Sequence, residues 1–148
     1  MENKYDAVIG IDPDAIRHGV AIYINGKLCE LKMMNTPELI IDFIPSIQDT
    51  HRIKLSIEDV CANKFVYGRN KKATKAAESR VAMNIGHVQQ AQTELIRWLD
   101  RYLIAYELHK PQSGNWADKR ELFERITGWK GQSNADTRAA AYFGYLAL

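Results

Sequence analysis

Cysteine is scarce: Cys29 and Cys61 are the two in 148 residues. They lie in unrelated surroundings, and no second pair accompanies them to build a metal knuckle or a disulfide framework. Both are read as reduced and structural. Long apolar runs are missing as well, none reaching the roughly 18 residues that a bilayer-spanning helix requires, so no membrane partner is expected. The chain has no internal repeat and no low-complexity tract, which excludes solenoids and unstructured spacers. Its net charge is only +2, too small a sum to argue for nucleic acid by itself. The opening residues Met1 to Asp6 carry acids and lead straight into a strand pattern, unlike a signal peptide, so a cytoplasmic location is expected.

What is present is ordinary for a globular protein: 46% hydrophobic and 26% charged residues. A chain of this length fits one domain, taken as residues 1–148, and buries roughly two-thirds of its unfolded surface without staples. The organising stretch is Val8-Ile9-Gly10-Ile11-Asp12-Pro13-Asp14. An unbroken aliphatic run leaves no polar side for water and reads as a strand buried on both faces. Asp12 then stands at the strand's C-terminal end, where a rigid element can hold a carboxylate toward a hard cation. Asp and Pro also form turns, so the weight of Asp12 depends on where the other acids fall.

Strand one is expected over Tyr5 to Asp12 and strand two over His18 to Ile24. Asn25-Gly26 closes a hairpin, since both residues tolerate positive φ, and Lys27 to Met34 makes strand three. Thr36-Pro37-Glu38 starts a helix with Thr36 as its cap, bearing Leu39, Ile40, Phe43, Ile44 and Ile47 inward. Ile53 to Ile57 is strand four, with Glu58-Asp59 at its end. The pattern of strand one recurs: aliphatic run, then acid. A basic stretch follows, then a long helix from about Ala73 toward Tyr102, with Gly86 in it suggesting close packing. Strand five is expected over Leu103 to Leu108, followed by a polar loop from His109 to Trp116. A short helix over Asp118 to Thr127 is broken by Gly128-Trp129-Lys130-Gly131. Asn134 caps a last helix that has Asp136 in its first turn.

This order predicts an α/β fold with a mixed five-stranded sheet: a three-strand antiparallel meander plus two parallel strands, flanked by helices. If strands one and four are adjacent and parallel, Asp12 and Glu58 reach the same end of the sheet, and the last helix can add Asp136. Like charges at ~4 Å repel by about 4 kcal/mol per pair at an effective dielectric near 20, so three carboxylates gathered there call for a cation. Two divalent ions about 3.5 to 4 Å apart are the usual device for hydrolysing a phosphodiester. His18, His51, His87 and His109 share no ligand spacing, and none is assigned to metal.

The basic stretch supplies the complement. Lys64, Arg69, Lys71, Lys72, Lys75 and Arg80 cluster with Phe65 and Tyr67; such cations bind backbone phosphates, and such aromatics stack on unpaired bases. Lys110, Gln112, Ser113 and Asn115 offer further phosphate donors, which fix register but not sequence. Trp116 serves equally as a core anchor or a contact.

Four segments in order carry a family resemblance: Gly10-Ile11-Asp12-Pro13, Ile57-Glu58-Asp59-Val60, the basic loop running into a long helix with Asn84-Ile85-Gly86, and Asn134-Ala135-Asp136-Thr137-Arg138-Ala139-Ala140. Over almost the whole chain the sequence resembles the RuvC family of Holliday junction resolvases. The resemblance implies a ribonuclease-H-like fold, a homodimer, and Mg²⁺-dependent symmetrical nicking of a four-way DNA junction, two ions per site with Mn²⁺ as a substitute. It marks Asp12, Glu58 and Asp136 as metal ligands and the loop after Glu58 as the segment that reaches the junction centre. Lys130 is a candidate for contacting the cleaved phosphate. One position departs: three residues before the terminal acid the family carries another acid or a histidine, and this chain has Ser133. The site then has three carboxylates, or Asp14, Asp59 or Asp118 reaches in. The same metal-holding residues would serve a nuclease acting on an RNA/DNA hybrid or a flap, and a cleavage-impaired DNA-binding relative is a further alternative. An actin-like ATPase also begins with an acid-ended strand and hairpin, but needs two such domains.

Overall fold

The computed structural model describes residues 4–62, 68 and 72–148. One mixed sheet has the order β3-β2-β1-β4-β5, built from β1 (Ala7–Asp12), β2 (His18–Ile24), β3 (Lys27–Met34), β4 (Ile53–Glu58) and β5 (Tyr106–His109). The first three form the antiparallel meander, turning at Asn25 and Gly26, whose φ values of 48° and 79° suit a tight hairpin. Strand β4 runs parallel to β1, and β5 parallel to β4. The α/β architecture expected from the acid-ended strands is the one observed. No helix among the described residues is long and apolar enough to cross a membrane.

Alternation along the strands divides the core into two layers. Ile9, Ile11, Val20, Ile22, Leu55 and Ile57 face Leu39 of a π-helical segment (Glu38–Phe43), Ile44 of α1 (Ile44–Gln48), and Leu95 and Leu99 of α2 (Lys75–Arg101). On the opposite face Val8, Ala21 and Tyr23 meet Phe123 of α3 (Arg120–Thr127) and Ala140 and Ala141 of α4 (Ala135–Tyr145). Trp116 joins this second layer from its edge.

Helix α4 lies directly on the sheet because the sequence removes side chains at the crossing. A Cβ built on Gly10 would run into the Ala140 carbonyl, and one on Gly19 into the backbone of Asp136. Two buried hydroxyls then fasten the helix: Tyr23 donates to the Ala141 carbonyl at 2.7 Å, and Ser56 donates to that of Phe143. Phe143 lies in the last turn, where carbonyls have no partner within their own helix.

Several boundaries differ from the sequence expectation, each for a local reason. Strand β5 starts at Tyr106 rather than Leu103, because α2 ends with Leu103 at φ 56° and the Ile104 amide reaching back to the Leu99 carbonyl. The first helical segment is capped by the Asn35 carboxamide, which accepts from the Glu38 amide, while Thr36 is engaged by His18. Among the described residues nothing lies within 4 Å of a Cβ placed on Gly86, so the close packing expected there is not found among them.

Gly19→Ala is expected to cost about 1–3 kcal/mol through overpacking, and Ser56→Ala about 1–3 kcal/mol by leaving a buried carbonyl unpaired. Urea unfolding measures both; a Gly19→Ala midpoint equal to the parent's would show that α4 does not need this close approach.

Candidate active site

Parallel pairing brings the first two acids together. Ile11 pairs with Ile57, so the next residues along, Asp12 and Glu58, leave adjacent strands side by side. The third arrives on α4, whose N-terminus is held by a reciprocal cap: the Thr137 amide donates to Asn134 Oδ1 at 2.8 Å, and the Asn134 amide to Thr137 Oγ1 at 2.9 Å. Seated over Gly19, this helix turns Asp136 into the same pocket. Asp12, Glu58 and Asp136, from three distant parts of the chain, line a cavity of about 200 Å³ walled by Gln112, Asn115 and Trp116.

Electrostatics make that gathering costly. Burial pushes the Asp12 carboxyl up to about 9; a hydrogen bond with Glu58 and the charges of Glu58, Asp136 and Asp14 push in the same direction. Asp136 is also raised, by burial first and then by Asp14. Asp12 therefore holds its proton at neutral pH, hydrogen-bonded to Glu58, as a carboxyl crowded by like charges does. Their oxygen donors fit Mg²⁺ in kind, since it is commonly bound through one or two carboxylates with waters and substrate phosphate completing the shell. Among the described residues no three His, Cys, Asp or Glu side chains are grouped as a ready-made metal cage.

The three further acids are distributed differently. Asp14 lies near enough for its charge to act on both Asp12 and Asp136. Asp59 is occupied, accepting from Gln92 Nε2 at 2.9 Å. Asp118 is exposed, ahead of α3. Ser133 is not among the residues lining the pocket, and its hydroxyl accepts from Arg138 Nε at 3.0 Å.

Buried polar side chains hold the frame. His18 accepts the Asp14 amide on Nδ1 at 3.1 Å, so its other nitrogen carries the proton and donates to Thr36 Oγ1 at 2.9 Å. Burial pushes this imidazole down to about 4 against the pull of Asp14; it is a neutral strut for the β1–β2 turn at neutral pH. Gln92 accepts the amides of Val60 and Cys61 on Oε1, fixing the chain just beyond Glu58. Arg138 donates to the carbonyls of Trp116, Ala117 and Ser133, tying the pocket's wall to α4. Sequence reading missed these last two. Gln92 was detectable as a polar residue one turn from both Val88 and Leu95 on the apolar stripe of α2, whereas nothing near Arg138 in sequence announces its partners.

The other sequence candidates lie farther out. Lys130 is exposed on the loop ahead of α4 and does not line the pocket. Lys72, Lys75, Arg80 and Lys110 are exposed. Lys64, Phe65, Tyr67, Arg69 and Lys71 lie outside the described residues. His109 pairs with Glu58 across the strands, yet its Nε2 meets Glu107 at 2.9 Å, and Glu107 meets Lys54 at 2.7 Å.

A carboxyl raised on folding binds its proton more tightly in the folded chain, so its ionisation opposes folding increasingly from about pH 4, where the unfolded group titrates, to about pH 9. Without divalent ions, Asp12→Asn is therefore expected to be more stable than the parent at pH 8, by about 2–4 °C in thermal midpoint for each kcal/mol relieved. The difference should vanish below about pH 4; a difference independent of pH across this range would contradict the raised carboxyl.

Comparison with known proteins bears on the fold. The structure of T. thermophilus RuvC in complex with a Holliday junction substrate superposes with a TM-score of 0.54 at 14% identity, over 94% of this chain and 90% of that one. A second Thermus thermophilus RuvC structure gives 0.49 at 14% identity, over 94% and 91%. No family model and no curated protein matches the sequence. The likeness to the junction-bound structure gives the chain a RuvC-like, ribonuclease-H-like fold.

Proposed function

We propose that residues 1–148 form a metal-dependent, structure-selective endodeoxyribonuclease domain that resolves four-way DNA junctions by symmetrical nicking. The observation that carries this reading is the convergence of Asp12, Glu58 and Asp136 on one pocket, in a fold like that of a protein solved with a Holliday junction. In this reading the three carboxylates hold Mg²⁺, with Mn²⁺ as a substitute. Two such ions, when bound, supply an activated water and stabilise the leaving oxygen.

The chain's own residues do the rest. Asp12 gives up its proton when a cation is held, which couples metal binding to pH. Gln92 and Arg138 keep the two sides of the pocket in register with the acids. Lys130 is assigned to the cleaved phosphate. Lys64, Phe65, Tyr67, Arg69, Lys71, Lys72, Lys75 and Arg80 are assigned, with Lys110, to the junction arms and centre. Two symmetric cuts require two sites related by a two-fold axis, which a homodimer supplies, acting in a cytoplasmic setting. The engagement of Ser133 by Arg138 favours one alternative: a relative that binds junctions but is impaired in cleavage.

Incubating the purified chain with a labelled four-way junction in Mg²⁺ or Mn²⁺ tests the reading. Paired nicks in opposed strands are expected, lost by about a hundred- to a thousandfold in Asp12→Asn, a magnitude typical of removing a group that stabilises transition-state charge. Mn²⁺ should raise the thermal midpoint of the parent but not of that variant. Binding without nicking in either metal supports the impaired relative, and preferential cutting of an RNA/DNA hybrid or a flap supports a different nuclease.

A further inference from the structure

A second cavity shares a wall with the candidate active site. It occupies about 450 Å³ between α3 and α4, within the ~300–1,000 Å³ range of small-ligand sites. Leu122 and Ile126 of α3 form one side, and Tyr142 and Tyr145 of α4 the other. Gln112 and Trp116 line both this cavity and the carboxylate pocket, so one layer of side chains separates the two. Ile126 and Tyr145 are 69% and 65% exposed, an apolar surface that α3 and α4 leave open.

The polar groups say what suits it. Gln112 accepts from Trp116 Nε1 at 2.8 Å, which orients its amide and leaves the NH₂ group without a partner among the described residues. Lys119 stands over the Trp116 ring, 5.5 Å from its centroid. Arg138 lines the cavity with its guanidinium bonded only to carbonyl and hydroxyl oxygens, so among the described residues no carboxylate neutralises its charge. A flat, partly polar ring on an anionic backbone matches this set: apolar faces above and below, an oriented donor at the edge, and positive charge around it. An aliphatic anchor from a protein partner would use neither the donor nor the charge.

We propose that this groove receives one unstacked nucleobase of the strand being cut, next to the cleaved phosphate, between the α3 aliphatics and the α4 tyrosines. Gln112 donates to an acceptor on the base edge. The proposal rests on the nuclease reading and adds to it a place where the enzyme senses the nucleotide beside the cut.

The test uses the full chain and four-way junctions with an abasic site on either side of the cleavage position, once that position has been mapped. For the parent, the abasic site is expected to raise KM about tenfold on one side of the cut, in line with the loss of one stacked base. In Tyr145→Ala and Ile126→Ser, both exposed positions, the intact junction is expected to behave as the abasic one does, with the penalty reduced below about twofold. Three results overturn the groove: no abasic penalty in the parent, an undiminished penalty in both variants, or variants that alter only the sedimentation of the protein, which marks an interface between copies. Normal nicking with no effect of the base sinks this inference alone. Failure of the parent to bind or nick any junction sinks the nuclease reading with it.

Discussion

The close seating of α4 on the sheet is the constraint from which the rest follows. Side chains normally hold packed elements apart; here Gly10 and Gly19 offer none, and helix backbone meets strand backbone. That contact sets the height of Asp136 above β1 and β2. The Ser56 and Tyr23 hydroxyls set its position along the helix axis by bonding carbonyls near its far end. A carboxylate at the first turn of a helix gains only ~0.3–1 kcal/mol from the macrodipole, far too little to place it against other acids. Packing elsewhere along α4 does the placing, and the acids tolerate the outcome.

How they tolerate it depends on what neutralises them. Burial, reinforced by Glu58, Asp136 and Asp14, holds the Asp12 carboxyl near 9, so that it keeps its proton at neutral pH and one charge is removed. The surrounding frame is built from groups that do not add to the problem: His18 is neutral, Gln92 is an amide, and Arg138 spends its hydrogen bonds on neutral oxygens.

Much of this was legible along the chain. Asn25-Gly26 announced the meander, the aliphatic runs ending in Asp12 and Glu58 announced adjacent strand ends, and Asn134 announced the cap of α4, because each of these signals is confined to a few neighbouring residues. The start of β5 was not legible, since Leu103 takes a left-handed conformation that its residue type disfavours and that the end of α2 imposes. The clamps were hidden for another reason. Gln92 and Arg138 find partners 20 or more residues away, and no local pattern specifies a contact between a helix and a distant loop. The apolar groove was likewise invisible, because Leu122 and Ile126 stand four residues apart, the spacing of a buried helical stripe; only the packing shows that both stay at least 40% exposed.

The bonding of Gln92 has a mechanical corollary. Among the described residues, the buried ones of α2 are Gln92, Leu95 and Leu99, all in its C-terminal half, while the half carrying Lys75 and Arg80 is exposed or half-buried. Gln89 and Gln92 together grip the chain just beyond Glu58, Gln89 donating to the Val60 carbonyl and Gln92 accepting the amides two and three residues past Glu58. The helix is therefore a lever with its fulcrum beside a catalytic candidate: a load on its basic arm becomes torque at the backbone that carries Glu58.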